Sequence, residues 1–360
     1  MSPAGAVEFQ VPIKSSNIDV RSFVCSGMNE LSVIGCVTCL LACLPGACVD
    51  ARAGAYDPLA INSRLPIVHL DLAVHDSARN RDIPIRVYLP ATTNLQPVVL
   101  FSHGLGGSRA GSAFLGGHWA ARNYVAVFLQ HPGSDDSVWR NVPASNVMEA
   151  LRRAGSAKNF LLRVEDVPAV LDQLKIWNTE MNNPLSGRMD MTKVGMSGHS
   201  FGAVTTEAVS GETLAVGGQQ FTDRRICAAI AFSPSTPVGI SAGNAFGAVK
   251  IPWMLMTGTK DIAPIGDQTL ESRLAVYPAL RGAPKYEVVL NNAEHSVFTD
   301  RPLPGDRELR NPNHHRVILA LSTAFWDAYL RNDRNALAWL NGPGPRSVME
   351  ADDRWESSAH

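Results

Sequence analysis

The chain has 360 residues, of which 45% are apolar and 18% are charged, and its formal net charge is −1. This composition provides for a large hydrophobic core and excludes a chain that is disordered throughout. Basic and acidic residues are interspersed, so the sequence indicates neither a nucleic-acid surface nor an acidic interaction tail.

Residues 1–53 have the features of an export signal or a disordered leader. The apolar stretch 31–44 has the length of a signal-peptide core and is too short to span a bilayer. It precedes Ala51-Arg52-Ala53, which fits a small-x-small cleavage site, while Leu40-Leu41-Ala42-Cys43 resembles a bacterial lipobox with a lipid anchor at Cys43. We therefore expect a periplasmic, secreted or lipid-anchored protein, although the long polar lead before residue 31 leaves a cytoplasmic location open. No later apolar run is long enough for a membrane span.

Five of the six cysteines lie in this leader, and only Cys227 lies in the body of the chain. The body therefore forms no internal disulfide. Cys36-x-x-Cys39 has no histidine nearby and no second cysteine pair at zinc-finger spacing, so we predict no metal or redox site.

From about residue 67 the pattern is that of a globular α/β domain. A β-hairpin is followed by repeated strand–helix units, which predicts a mostly parallel sheet with helices on both faces. The predicted strands are 69–75, 83–89, 98–101, 125–129, 193–196, 225–232, 251–257 and 285–290, and the predicted helices are 114–122, 161–174, a segment after residue 200, and 315–330. We interpret 131–157 as a loop or cap, 54–341 as the catalytic domain and 342–360 as a loose polar tail.

Gly198-His199-Ser200-Phe201-Gly202 is a candidate nucleophile elbow. Such a serine lies on a tight strand-to-helix turn that exposes its hydroxyl, and the glycines avoid steric clashes at that turn. The pentapeptide alone is a weak signal, because an ordinary glycine-rich loop matches it by chance. Here it follows a predicted strand and precedes a predicted helix, as the mechanism requires.

A serine nucleophile needs a base and an acid that orients the base. His295 follows a short loop after the strand 285–290 and is the best candidate for the base. Asp261 ends the segment 251–260 and would be the acid, with Asp267 a weaker alternative. The chain order Ser200, Asp261, His295 is that of the α/β-hydrolases. The alternative interpretation of Asp261 is purely structural, as an aspartate that caps a turn.

The loop after the strand 98–101 carries His103-Gly104-Leu105-Gly106-Gly107. Glycines at this point let the main chain approach a substrate. The amide of Leu105 would then pair with that of Phe201 to stabilise an oxyanion.

At Phe101-Ser-His-Gly-Leu-Gly106 and at the elbow, the sequence resembles the platelet-activating-factor acetylhydrolase type of α/β-hydrolase, and it is also similar to dienelactone-hydrolase-like bacterial proteins. The resemblance covers most of 67–333 and includes His131-Pro-Gly-Ser-Asp135. It implies a cofactor-free serine esterase with Leu105 and Phe201 as oxyanion donors.

The chain departs from both patterns. True dienelactone hydrolases have a cysteine where this chain has Ser200, and the acetylhydrolases carry their acid after the strand that here ends in Phe232-Ser233-Pro234. Gly258-Thr-Lys-Asp261-Ile-Ala-Pro264 looks instead like the acid-bearing turn of bacterial cutinases and polyester hydrolases.

The sequence thus predicts a serine hydrolase of small-molecule carboxylic esters, with short acyl or acetyl esters favoured. Lipase-like, cutinase-like, thioester and peptide hydrolysis remain open, because fold and triad do not determine the substrate. A non-catalytic scaffold is least favoured. Haloalkane dehalogenase and epoxide hydrolase chemistry would need an aspartate in place of Ser200. Acyl length, alcohol group and oligomeric state are left open.

Overall fold

The computed structural model describes residues 56–61, 67–266, 268–303 and 305–358. Its strands form one nine-stranded sheet in the order β1-β2-β4-β3-β5-β6-β7-β8-β9. They are β1 (Val68–Asp76), β2 (Arg81–Leu89), β3 (Gln96–Ser102), β4 (Val125–Leu129), β5 (Met189–His199), β6 (Ile226–Phe232), β7 (Trp253–Lys260), β8 (Lys285–Glu294) and β9 (Arg354–Ser358).

Strands β3 to β8 are parallel to their neighbours within that group, whereas β1, β2 and β9 pair antiparallel. The strands β4 and β3 are apolar over nearly their whole length, as expected for strands buried on both faces. The hairpin of β1 and β2 lies at one edge, where one face is solvated. The predicted mixed α/β architecture with a mostly parallel sheet and an antiparallel N-terminal hairpin is confirmed.

Ten α-helices connect and cover the described strands. They are α1 (Ala113–Ala121), α2 (Ser137–Arg140), α3 (Val147–Ala154), α4 (Ala157–Trp177), α5 (Phe201–Val209), α6 (Ala242–Phe246), α7 (Leu270–Leu274), α8 (Val276–Ala279), α9 (Pro312–Leu330) and α10 (Arg334–Asn341). None of these helices is long and apolar enough to cross a membrane.

The hydrophobic core lies on both faces of the sheet. On β3, Val99 and Phe101 pack in a cluster with residues of α1, α9 and α10, whereas Val98 and Leu100 pack with residues of α4 and α5. A third cluster joins β6 and β7 to α6 and α8. Because side chains alternate between the two faces of a strand, helices cover both faces.

The prediction of a loose tail over 342–360 was wrong for the residues that the structure describes. Strand β9 pairs with β8 at the edge of the sheet, and Trp355 stacks on Tyr286 with ring centroids 5.7 Å apart. The Asp353 carboxylate accepts hydrogen bonds from the amides of Asn291 and Glu350, at 2.7 and 2.9 Å. The segment is polar in composition, which is why the sequence suggested a loose tail, but main-chain pairing and these contacts fix it to the edge of the sheet.

One further boundary differs from the prediction. Strand β8 continues through the predicted loop to Glu294, so His295 begins a 3-10 helix directly at its end. The region 131–157 contains α2 and α3, which place few side chains in the core, and this agrees with a cap. The predictions for 1–53 and for Asp267 lie outside the described residues.

Candidate active site

Ser200 lies at the turn between β5 and α5 with φ 58° and ψ −116°. A residue other than glycine rarely adopts this conformation, and it persists only where the surroundings enforce it. The Ser200 amide donates to the carbonyl of Phe232 at 3.0 Å, which joins the turn to β6. The predicted strand–serine–helix arrangement is therefore present.

The two glycines of the elbow are required by close main-chain packing. A Cβ on Gly198 would overlap the carbonyl of Gly202, and a Cβ on Gly202 would overlap the carbonyl of Ser102. The start of α5 thus rests directly on the end of β3. This contact brings the elbow against the glycine loop that begins at His103.

The structure brings the three predicted triad residues together. The Ser200 Oγ lies 2.9 Å from His295 Nε2, and His295 Nδ1 lies 2.6 Å from Asp261 Oδ1. Because the carboxylate accepts a hydrogen bond from the Nδ1–H group, Nε2 carries no proton and can accept the hydrogen bond of the Ser200 hydroxyl. The residues follow β5, β7 and β8, whose carboxyl ends meet at one edge of the sheet.

The Asp261 carboxylate is fully buried, and it accepts three hydrogen bonds and forms one ion pair. Its Oδ2 accepts from the hydroxyls of Ser233 at 2.6 Å and Thr257 at 2.8 Å, and Arg273 Nη2 lies 3.3 Å from Oδ1. Burial alone would raise the pKa of this carboxyl. The hydrogen bond from His295, the charge of Arg273 and the Ser233 hydroxyl lower the pKa well below its ordinary value, so the carboxylate is ionised.

Sequence reasoning missed these supporting side chains. Ser233 occupies the position after β6 where the acetylhydrolase pattern would carry its acid, and here its hydroxyl donates to the acid instead. Arg273 donates to the carbonyls of Asp261, Ser233 and Pro234, which ties together the loops after β6 and β7. The buried Nε2 of His199 donates to the carbonyl of His295 at 3.0 Å. Of the contacts around Asp261, only the hydrogen bond from Thr257 joins residues close in sequence, four positions apart, so only this contact had a local sequence signal.

The predicted oxyanion donors have amides with no main-chain partner among the described residues. In the same loop, the Gly106 amide donates to Ser134 and the Gly107 amide to Gly104. The amides of Leu105 and Phe201 make no such bond. Both residues line the cavity that holds Ser200 and His295. Two free amides beside a nucleophile are what an oxyanion hole requires.

This cavity has a volume of about 450 Å³. Its walls include Leu105, Phe201 and Val204 beside the elbow, Val147, Met148 and Leu151 from the cap, and Ile265 and Leu303 from two later loops. Arg273 is the one Lys, Arg, Asp or Glu among the described lining residues, and it already contacts Asp261. The geometry therefore suits an uncharged, largely apolar ligand.

Elsewhere in the described part of the chain, no group of three or more His, Cys, Asp or Glu side chains is arranged to hold a metal ion. No known protein-family model matches this sequence, and no curated protein matches it significantly.

Proposed function

We propose that this protein is a serine hydrolase with the α/β-hydrolase fold and that it cleaves carboxylic esters through an acyl-enzyme intermediate. The observation that carries the proposal is the continuous hydrogen-bonded chain Ser200–His295–Asp261, at 2.9 and 2.6 Å, with the serine on a strained elbow in an apolar cavity. Nucleophile, base and orienting acid are the three roles that such chemistry needs.

In this mechanism His295 Nε2 takes the proton of Ser200 as the Oγ attacks the ester carbonyl carbon. The carbonyl oxygen becomes an anion, and the amides of Leu105 and Phe201 donate to it. The ionised Asp261 stabilises the imidazolium, which then protonates the departing alcohol. A water molecule, deprotonated in turn by His295, attacks the acyl carbon and releases the acid and free Ser200.

The cavity favours neutral esters of modest size. Its volume of about 450 Å³ lies in the lower half of the range of about 300–1,000 Å³ that small-molecule sites have. A short-chain ester such as p-nitrophenyl butyrate suits a cavity of this class. We therefore expect the highest kcat/KM with the butyrate ester and a decline through octanoate to palmitate, because the longer chains extend beyond the apolar walls.

The test is hydrolysis of the p-nitrophenyl acetate, butyrate, octanoate and palmitate esters by the full chain and by Ser200→Ala. We expect hydrolysis by the wild type and a loss of at least about 10³-fold in the variant. Labelling with a fluorophosphonate probe should likewise require Ser200. Hydrolysis by Ser200→Ala at the wild-type rate would refute the proposal. Probe labelling without ester hydrolysis would instead indicate that the substrates are thioesters or peptides.

Export and the lipid anchor at Cys43 remain predictions from the sequence.

A further inference from the structure

A fully buried guanidinium lies beneath both predicted oxyanion donors. Arg163 on α4 is 0% exposed. Its Nη1 donates to the carbonyl of His103 at 2.8 Å, and its Cζ lies 4.5 Å from the centre of the Phe201 ring. One side chain therefore contacts the loop that presents the Leu105 amide and the residue that presents the second amide.

The charge of Arg163 has no salt-bridge partner among the described residues. Its hydrogen bonds go to neutral acceptors, with Nε donating to the Ser134 hydroxyl at 2.8 Å. The carboxylates of Asp166 and Asp135 favour this charge from beyond salt-bridge distance, and Asp166 is itself bound by Arg79, Arg81 and His131. Burial is the main cause that lowers the pKa of Arg163 to about 9, so it is still charged at neutral pH. Burying a cation without a directly paired anion costs free energy.

The same contacts make the glycine loop rigid. The His131 amide donates to His103 Nε2 at 3.1 Å, so His103 carries its proton on Nδ1 and donates it to the Gly104 carbonyl at 2.6 Å. That carbonyl also accepts from the Gly107 amide. The His103 carbonyl accepts from Arg163 Nη1, and Arg163 Nη2 lies 3.2 Å from His103 Nδ1, so Arg163 contacts the turn before Leu105 at two atoms.

We propose that Arg163 is a positioning residue for the oxyanion hole. It holds the His103 carbonyl and the Phe201 ring so that the amides of Leu105 and Phe201 point at one place, and its positive charge behind them favours an anion there. The assignment of a catalytic role rests on the proposed hydrolase function. Donors that are fixed before the reaction cost no reorganisation when the oxyanion forms.

The test compares full-length wild type with Arg163→Met and Arg163→Lys, and uses Arg188→Met as a matched control. Arg188 also donates to two main-chain carbonyls, those of Pro90 and Thr92, but it lies just before β5, at the opposite end of the parallel strands. With p-nitrophenyl butyrate, we expect Arg163→Met to lower kcat by about 10- to 100-fold with KM within about threefold, since outright loss of one donor costs about 10²- to 10³-fold. Arg163→Lys keeps the charge and should recover part of kcat, and Arg188→Met should leave kcat near wild type.

Hydrogen–deuterium exchange gives a readout that does not depend on turnover. Exchange in 103–107 should rise in Arg163→Met and stay unchanged in Arg188→Met and Ser200→Ala. Unchanged exchange in that segment, or equal losses of kcat in Arg163→Met and Arg188→Met, would overturn the proposal. If the methionine variant does not fold, Arg163→Lys decides. A lysine keeps the charge but lacks the planar guanidinium that contacts both the His103 carbonyl and the Phe201 ring, so wild-type kcat and exchange in that variant would overturn the proposal. If the wild type shows no Ser200-dependent hydrolysis, the hydrolase function fails, while the exchange data still decide whether Arg163 positions the loop.

Discussion

The pairing of β8 with β9 should give this protein one contribution to stability that decreases as the pH rises from about 4.5 to 7. Glu287 on β8 stands directly opposite Glu356 on β9. The Glu287 side chain is 6% exposed, and its Oε1 has no hydrogen-bond partner among the described residues. Burial, followed by the charge of Glu356, raises the pKa of Glu287 from 4.5 to about 7.

The magnitude follows from this difference in pKa. A pKa of about 7 in the folded state against 4.5 in the unfolded state, at 1.36 kcal/mol for each pH unit, amounts to about 3 kcal/mol. Because the pKa is higher in the folded state, the contribution of protonated Glu287 to the free energy of unfolding is fully present below about pH 4.5 and is lost as the pH rises through 7. Glu287→Gln keeps the shape of the protonated side chain and cannot ionise. The variant should therefore match wild type near pH 4.5 and exceed its free energy of unfolding by about 3 kcal/mol at pH 8.

Urea unfolding of both proteins at pH 4.5 and pH 8 measures the two free energies, and subtraction removes the titration of all other groups. Glu356→Gln is the graded control. Glu356 is exposed, so its removal should recover only part of the gain. Equal urea midpoints for wild type and Glu287→Gln at pH 8, or a difference that does not change with pH, would refute this reasoning.

Asp261→Asn should lower kcat for p-nitrophenyl butyrate by about 10³- to 10⁴-fold, because the imidazolium of His295 loses its anionic partner. The exposed Asp172→Asn is the control. A loss of less than about tenfold in Asp261→Asn would contradict the role of Asp261. Gly202→Ala should lower the free energy of unfolding by more than about 3 kcal/mol, since its Cβ would overlap the Ser102 carbonyl. Gly117→Ala on α1, where a Cβ meets nothing within 4 Å, should instead raise it by about 0.5–1 kcal/mol. A urea midpoint for Gly202→Ala that is no lower than that of the wild type would refute the overlap at the elbow.

Features encoded by neighbouring residues could be predicted from the sequence. The alternation of β1 and β2, the apolar runs of β3 and β4 and the elbow around Ser200 are local patterns, because side-chain period and turn chemistry act within a few residues. Chain order then selected Asp261 and His295 from several carboxylates and histidines. The structure places these two side chains within hydrogen-bond distance of each other.

Features that depend on distant segments could not be predicted in this way. Strand β9 is an edge strand with mostly exposed side chains, so it lacks the apolar signal of the central strands, and main-chain hydrogen bonds to β8 determine its place.

The polar side chains around the candidate site show the same limit. Arg273 reaches the loops after β6 and β7, and Arg163 reaches His103, 60 residues earlier in the chain. The sequence alone does not distinguish a buried arginine from a solvent-exposed one. Only the packing of α4 and α7 against the sheet removes these two from water and gives them their acceptors.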